Sequence, residues 1–192
     1  FTGCTHKISI SPDVDNISGA YSKDQLNFNV AYILSAEKEN IYVVTSGGGG
    51  DKVGYYPYRD TESSLRTVLN NLFNKVYKID KFPSDIYLKD NNIKYIFDFE
   101  IETQSFSKSA FTWPPTNFTI NLRTYVRDIN NNVYWEDLIT EVGNASFDEF
   151  VNDFGIAGKK AVINVSNNLY FKIKRSKSFQ WFIHLKKLQF QF

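Results

Sequence analysis

The chain has 192 residues, 42% of them apolar and 17% aromatic, with a formal net charge of +1. Such a length fits one domain with an ample core, and the charge balance lacks the basic excess of a nucleic-acid binder. No stretch approaches the ~20 apolar residues of a membrane-spanning helix, and a single Cys excludes an internal disulfide or a cysteine-built zinc site.

The chain opens Phe1-Thr2-Gly3-Cys4 and contains no Met, which implies that a segment has been removed ahead of it. A lone Cys directly after a small residue is the pattern of a bacterial lipobox, although Phe1 stands where Leu is preferred. On that reading Phe1, Thr2 and Gly3 are signal-peptide remnants and Cys4 is the lipid attachment site. Each buried acyl methylene then contributes about 0.8 kcal/mol, and lasting attachment needs more than one chain. The alternative is an incidental or packed thiol. Ile8 and Ile10 suggest a short strand in an otherwise polar lead-in, and strands are expected at 28–34 and 41–45, joined by a charged turn at 35–40.

Gly47, Gly48, Gly49 and Gly50, followed by Asp51 and Lys52, could turn backbone N–H groups toward an anion, so Gly48, Gly49, Gly50 and Lys52 are ligand-binding candidates. The full phosphate-loop pattern is absent and no helix follows, which favours a tight turn.

Asp60 or Thr61 can cap a first helix, whose apolar positions Leu65, Val68, Leu69, Leu72, Phe73, Val76 and Tyr77 keep a helical rhythm. Pro83 stops it, and 90–92 turns the chain into the strongest strand pattern, 93–103. There Ile93, Tyr95, Phe97, Phe99 and Ile101 share one face. Lys94, Asp98, Glu100 and Glu102 share the other, with Ile96 out of pattern. The pattern fails over 104–117, a long link carrying Phe106, Phe111, Trp113, Pro114 and Pro115. Aromatics on a proline-stiffened loop are partner-binding candidates, or else a lid over the core.

Phe118, Ile120, Leu122, Thr124 and Val126 define the next strand, and the Asn-rich turn 128–132 makes it a hairpin with 133–142. Ser146 and Glu149 spell a capping box for a second helix with the stripe Phe150, Phe154, Ala157, Ala161, Val165 and Leu169. Gly155 and Gly158 inside it imply close approach or a kink. The tail beyond Tyr170 is basic and aromatic, suited to packing on the domain or to meeting a membrane or partner.

Catalytic equipment is sparse. His6 and His184 stand at opposite ends of the chain, and no nucleophile–base, zinc-protease or dinucleotide motif occurs. The carboxylates of the central strand read as a solvated face, with Arg123 and Arg127 as expected partners. No catalytic residue, metal ligand or cofactor is assigned.

The run of helix, strand, long link, strand, turn, strand, helix over 60–169, behind a lipobox-like start, resembles the YajG-like group of small bacterial outer-membrane lipoproteins. The first-helix segment from Ser64 to Leu69, the Asn131 turn and the helix after Ser146 carry that resemblance. It implies a non-catalytic, lipid-anchored protein on the periplasmic side of the outer membrane, acting as a binding or assembly component among other envelope proteins, with homo-oligomerisation left open. Thr5 after the cysteine, rather than Asp, matches outer-membrane sorting by the same analogy. The alternative is a small-ligand-binding domain using the glycine turn; a hydrolase would lack its nucleophile and base. The expected fold is α+β: a mixed, mainly antiparallel sheet with two amphipathic helices packed on one face. Residues 1–27 form a tether or strand, 28–172 the domain and 173–192 the tail.

Overall fold

The computed structural model describes residues 4–18, 25–107 and 114–179. In chain order the strands are β1 (Thr5–Lys7), β2 (Asn29–Ile33), β3 (Val43–Ser46), β4 (Lys52–Tyr55), β5 (Val76–Ile79), β6 (Ile93–Phe106), β7 (Asn117–Arg127) and β8 (Val133–Asn144). The helices are α1 (Ala36–Glu39), α2 (Pro57–Leu72), α3 (Asp85–Asp90), α4 (Phe147–Asn152) and α5 (Ile156–Arg175), with a 3-10 turn at Val14–Asn16.

The fold is α+β with a mixed sheet. Five strands run in the order β5-β2-β6-β7-β8. β5, β2 and β6 are parallel, and β7 and β8 return antiparallel. The hairpin turn works as its composition predicts: Asn131 takes φ 66°, a left-handed conformation that Asn tolerates. A second sheet of three strands, β1-β4-β3, stands against the end of β6. Hydroxyl groups join the two sheets. Tyr55 donates to Thr103 Oγ1 at 2.8 Å, Thr45 and Ser105 lie 2.6 Å apart, and Ser105 Oγ donates to the Ser46 carbonyl at 2.6 Å.

α2 and α5 bury Leu65, Val68, Leu69, Val162, Val165 and Leu169 in the same cluster as Phe97, Phe118 and Leu122 of the sheet. α5 also guards the sheet edge. Asn164 and Lys160 donate to the Val142 and Asn144 carbonyls, and Lys172 reaches Asp137 at 2.6 Å, so β8 offers a partly occupied edge to other strands. Phe179, just past α5, is fully buried among Phe73, Tyr95, Tyr134 and Trp135. The start of the basic tail therefore packs; its later part lies outside the described residues.

Several local expectations change, each for a tertiary reason. α2 begins at Pro57, so Asp60 and Thr61 sit inside it and Tyr56 takes the cap position. Pro at the first helical position loses no hydrogen bond there. The helix ends at Leu72. Val76 and Tyr77, read as continuing its stripe, instead form β5 against β2. Residues 36–39 wind into α1, capped by the Ser35 side chain. β6 continues through Phe106, consuming the start of the expected link. A register shift beside Asn29 turns Ile93 away from its expected companions and into a small cluster with Ile96, Ala31 and Leu88. The second helix is two: the Ser146–Glu149 capping box is present, but the chain breaks at Asp153 to Gly155 before α5. Phe154, expected in the stripe, is exposed, and Phe150 is buried outside the main cluster.

The lead-in is woven into the fold. Beyond β1, Ile8, Ile10 and Ile17 join the core, and Ser18 N–H reaches Asn167 Oδ1 of α5 at 2.6 Å, while Asn71 of α2 donates to the Ser18 carbonyl. Residues 8–18 thus run as a strap between the two long helices. Glycines make room for it: a Cβ on Gly158 would stand 2.3 Å from Ile10 Cγ2, and one on Gly155 would stand 1.9 Å from the Ser9 carbonyl oxygen. Helix propensity alone would reward Gly158→Ala by about 1 kcal/mol. The steric conflict should win, and G158A is expected to lower stability by about 1 to 3 kcal/mol in urea unfolding. Combining it with Ile10→Ala should show strong coupling, because the smaller side chain relieves the overlap.

Candidate functional site

The glycine turn and Cys4 meet at one corner of the molecule. Parallel pairing sets Thr5 beside Lys52, and Lys52 N–H donates to the Cys4 carbonyl at 2.9 Å. Cys4 N–H donates to Asp51 Oδ1 at 3.0 Å, and His6 Nε2 lies 2.9 Å from Asp51 Oδ2. The hydrogen bond from His6, helped by the Cys4 N–H, pulls the Asp51 carboxyl below its ordinary value. His6, expected at the surface of a tether, is a half-buried partner of Asp51. The Cys4 thiol is free and exposed.

The glycines are the tip of the β3–β4 hairpin. Gly49 and Gly50 take φ 64° and 86°, and Gly47 N–H and Asp51 N–H bond within the turn to Asp51 O and Gly48 O. Gly47 and Gly48 are buried, Gly49, Gly50 and Lys52 exposed. The turn's chemistry is spent on closing the hairpin and placing Asp51, which then holds Cys4. Sequence patterning offered no sign of Asp51 in this role, since its partners lie 45 and 47 positions away.

Asp60 has a second role that sequence missed. From inside the first turn of α2 its buried carboxylate accepts the Ile10 N–H at 3.1 Å as well as the backbone N–H of the N-cap residue Tyr56, pinning the strap to the start of the helix. Burial pushes its carboxyl above the ordinary value, while the Ile10 N–H and Arg59 pull the other way.

The aromatic link resolves in part. The Phe106 ring is exposed at the end of β6, whereas Pro114 and Pro115 are buried against the fold and present no docking face. Phe111 and Trp113 lie outside the described residues, as does His184. The carboxylate face of β6 is paired differently from expectation: Asp98 meets Lys38 at 3.0 Å, and Arg123 meets Glu136 of β8 at 2.6 Å. Arg127 turns to the Asn131 carbonyl. No cluster of three or more His, Cys, Asp or Glu suited to a metal occurs among the described residues, and none of their helices is long and apolar enough to cross a membrane.

The described residues line a small recess and an open cleft. A recess beside Tyr32, Tyr58 and Glu62 holds only about 10 Å³, room for a water. An open cleft of about 420 Å³ lies between α3 and the β7–β8 turn, lined by Asp85, Leu88, Lys89, Asn92, Ile129 and Asn130. Neither is lined by residues 47–52.

No family model and no curated protein matches the sequence. Solved structures do match. Protein XCC0632 from Xanthomonas campestris, assigned to the family model DUF330, superimposes with a TM-score of 0.51 over 96% of this chain and 99% of its own, at 13% identity. A proposed lipoprotein from Caulobacter crescentus CB15 gives a TM-score of 0.39 over 85% of this chain and 95% of its own, at 10% identity. The first likeness establishes a shared fold along nearly the whole chain.

The Asp60 geometry has a testable sign. A carboxyl whose folded value is raised opposes folding increasingly as pH climbs from the unfolded value to the folded one. Asp60→Asn keeps an acceptor for Ile10 without the charge, so its stability should gain on the wild type as pH rises above the ordinary Asp value of about 4. Asp60→Ala, which orphans the Ile10 N–H, should cost about 1 to 3 kcal/mol throughout. Urea unfolding of the three proteins over that rise in pH measures both.

Proposed function

We propose that this protein is a lipoprotein of the bacterial envelope, held to the outer membrane through Cys4 on its periplasmic side, and that it serves as a non-catalytic binding or assembly component. The observation that carries the reading is the placing of Cys4. It follows the small residues Thr2 and Gly3 of a lipobox-like start, its thiol is exposed and free, and its backbone is fastened to Asp51 and Lys52. Acylation leaves a hydrogen on the Cys4 nitrogen, so the bond to Asp51 survives lipid attachment. The resemblance to YajG-like lipoproteins supports the address, and kinship with that group is part of the proposal.

The chemistry of the described residues suits binding. His6 is engaged with Asp51, Asp98 with Lys38, and Glu100 stands opposite Arg123. The end of the sheet away from Cys4 presents α3, with Ile86 and Tyr87 exposed, and the open cleft beside Ile129. That end is the surface offered to other envelope proteins.

Mass analysis of the protein purified from host membranes tests the anchor: Cys4 should carry acyl chains, and Cys4→Ser should accumulate as an unacylated precursor with its signal peptide uncleaved. An unmodified thiol on membrane-recovered protein would end the lipoprotein reading.

A further inference from the structure

We propose that the fold sits end-on against the bilayer, with the exposed apolar side of α4 and the Phe106 ring in contact with lipid. The inference rests on Cys4 being the attachment point, and it adds an orientation and a second membrane contact that attachment alone does not require.

Three observations converge. The first is rigidity. β1 starts one residue after Cys4, the Cys4 backbone bonds Asp51 and Lys52, and Ile10 is locked between Asp60 and Gly158. An anchor here has no slack, so acyl chains entering the membrane bring this corner of the protein to its surface.

The second is placement. Ser105 donates to the Ser46 carbonyl, which puts the hairpin tip and Cys4 beside the last residues of β6. In the ladder Phe106 lies opposite Asn117, and Asn117 opposite Asn144, so β6, β7 and β8 reach the same end, and α4 begins three residues past Asn144. Cys4, Phe106 and α4 therefore crown one end of the sheet. The other end of the 14-residue β6, carrying α3, lies about 43 Å away at the rise of a strand.

The third is the character of the surface. Phe147 and Val151, one helical turn apart on α4, are 64% and 54% exposed, and Phe106 is 49% exposed. Phe150 points inward and stacks edge-on against Phe147, so the helix is fixed to the body while its outer side stays apolar. Single exposed apolar residues are ordinary. Three at the end that carries the anchor form a face suited to the bilayer interface, where a tethered group meets lipid at high effective concentration. The polar groups there are engaged with one another: Asp51 is hydrogen-bonded to His6, and Glu149 pairs with Lys160 at 2.6 Å. The contact is thus apolar and should be insensitive to salt.

Because the chain has a single cysteine, it can be coupled through Cys4 to maleimide-bearing lipid in phosphatidylethanolamine–phosphatidylglycerol vesicles, independently of what the host does to it. Amide hydrogen exchange is then compared with the same protein coupled to a water-soluble maleimide. Exchange in α4 and the 47–51 turn should slow about tenfold or more on vesicles while α3 is unchanged. The protection should persist in high salt and be lost in Phe147→Ser/Val151→Ser, whose side chains are exposed and whose vesicle coupling is unaffected. Equal exchange in the two coupled states, or protection at α3 instead, overturns the proposal. Protection that grows with protein concentration without vesicles assigns the face to a second copy and overturns it too. An unacylated Cys4 in host membranes would defeat the lipoprotein reading by a separate measurement.

Discussion

The seating of Ile10 is the constraint on which this architecture depends. Two long helices lie on one side of the sheet, and the segment 8–18 must pass between them. Close packing allows that only where side chains are missing, at Gly155 and Gly158, and where the buried backbone amide of Ile10 finds an acceptor, in Asp60. A charged carboxylate is costly to bury, and its raised pKa shows that cost. An unanswered N–H at the same place would also be costly, so the pair persists as the cheaper arrangement. The consequence reaches the surface: the residues that follow Cys4 belong to the rigid body.

The molecule has two unlike ends. At one, the three-stranded sheet, the tips of β6 to β8 and α4 gather around Cys4, joined by the hydroxyl contacts of Tyr55, Thr45 and Ser105. At the other, the ends of α2 and α5 close over Phe73, Tyr95, Tyr134 and Phe179, an aromatic group in which each ring meets others edge-on or stacked. Phe179, the last described residue, therefore lies at the end away from Cys4. α2 and α5 both run from the first end to the second, which is why one strap can contact the start of both helices at Ile10 and later turns of both at Ser18.

What could be read in advance follows the range of each interaction. The faces of β6 and β7, the hairpin at Asn131 and the capping box at Ser146 involve neighbours in sequence or a strict period, and they appear as expected. The misplacements arise where distant chain decides. Val76 and Tyr77 continue a helical rhythm, yet β2 offers a free edge and draws them into a strand. Ile93 alternates correctly but a bulge opposite Asn29 rotates it to the other face. Pro114 and Pro115, read as stiffening an exposed loop, are buried. At the candidate site, Cys4 and the glycine turn were each visible by residue type. Their adjacency was not, because it is made by Asp51 and a parallel β1–β4 pairing that no local pattern encodes.

The sequence by itself determined the fold class, the long central strands and the helical stripes from Leu65 to Leu72 and from Ala157 to Leu169, because periodicity and short motifs act over a few positions. Only the tertiary structure decided that residues 8–18 form a strap, that Asp60 serves Ile10 as well as the start of α2, and that Cys4, Phe106 and α4 share one end. Those outcomes depend on contacts between residues tens of positions apart, where the packing of glycine against backbone and of a carboxylate against a buried amide outweighs local preference.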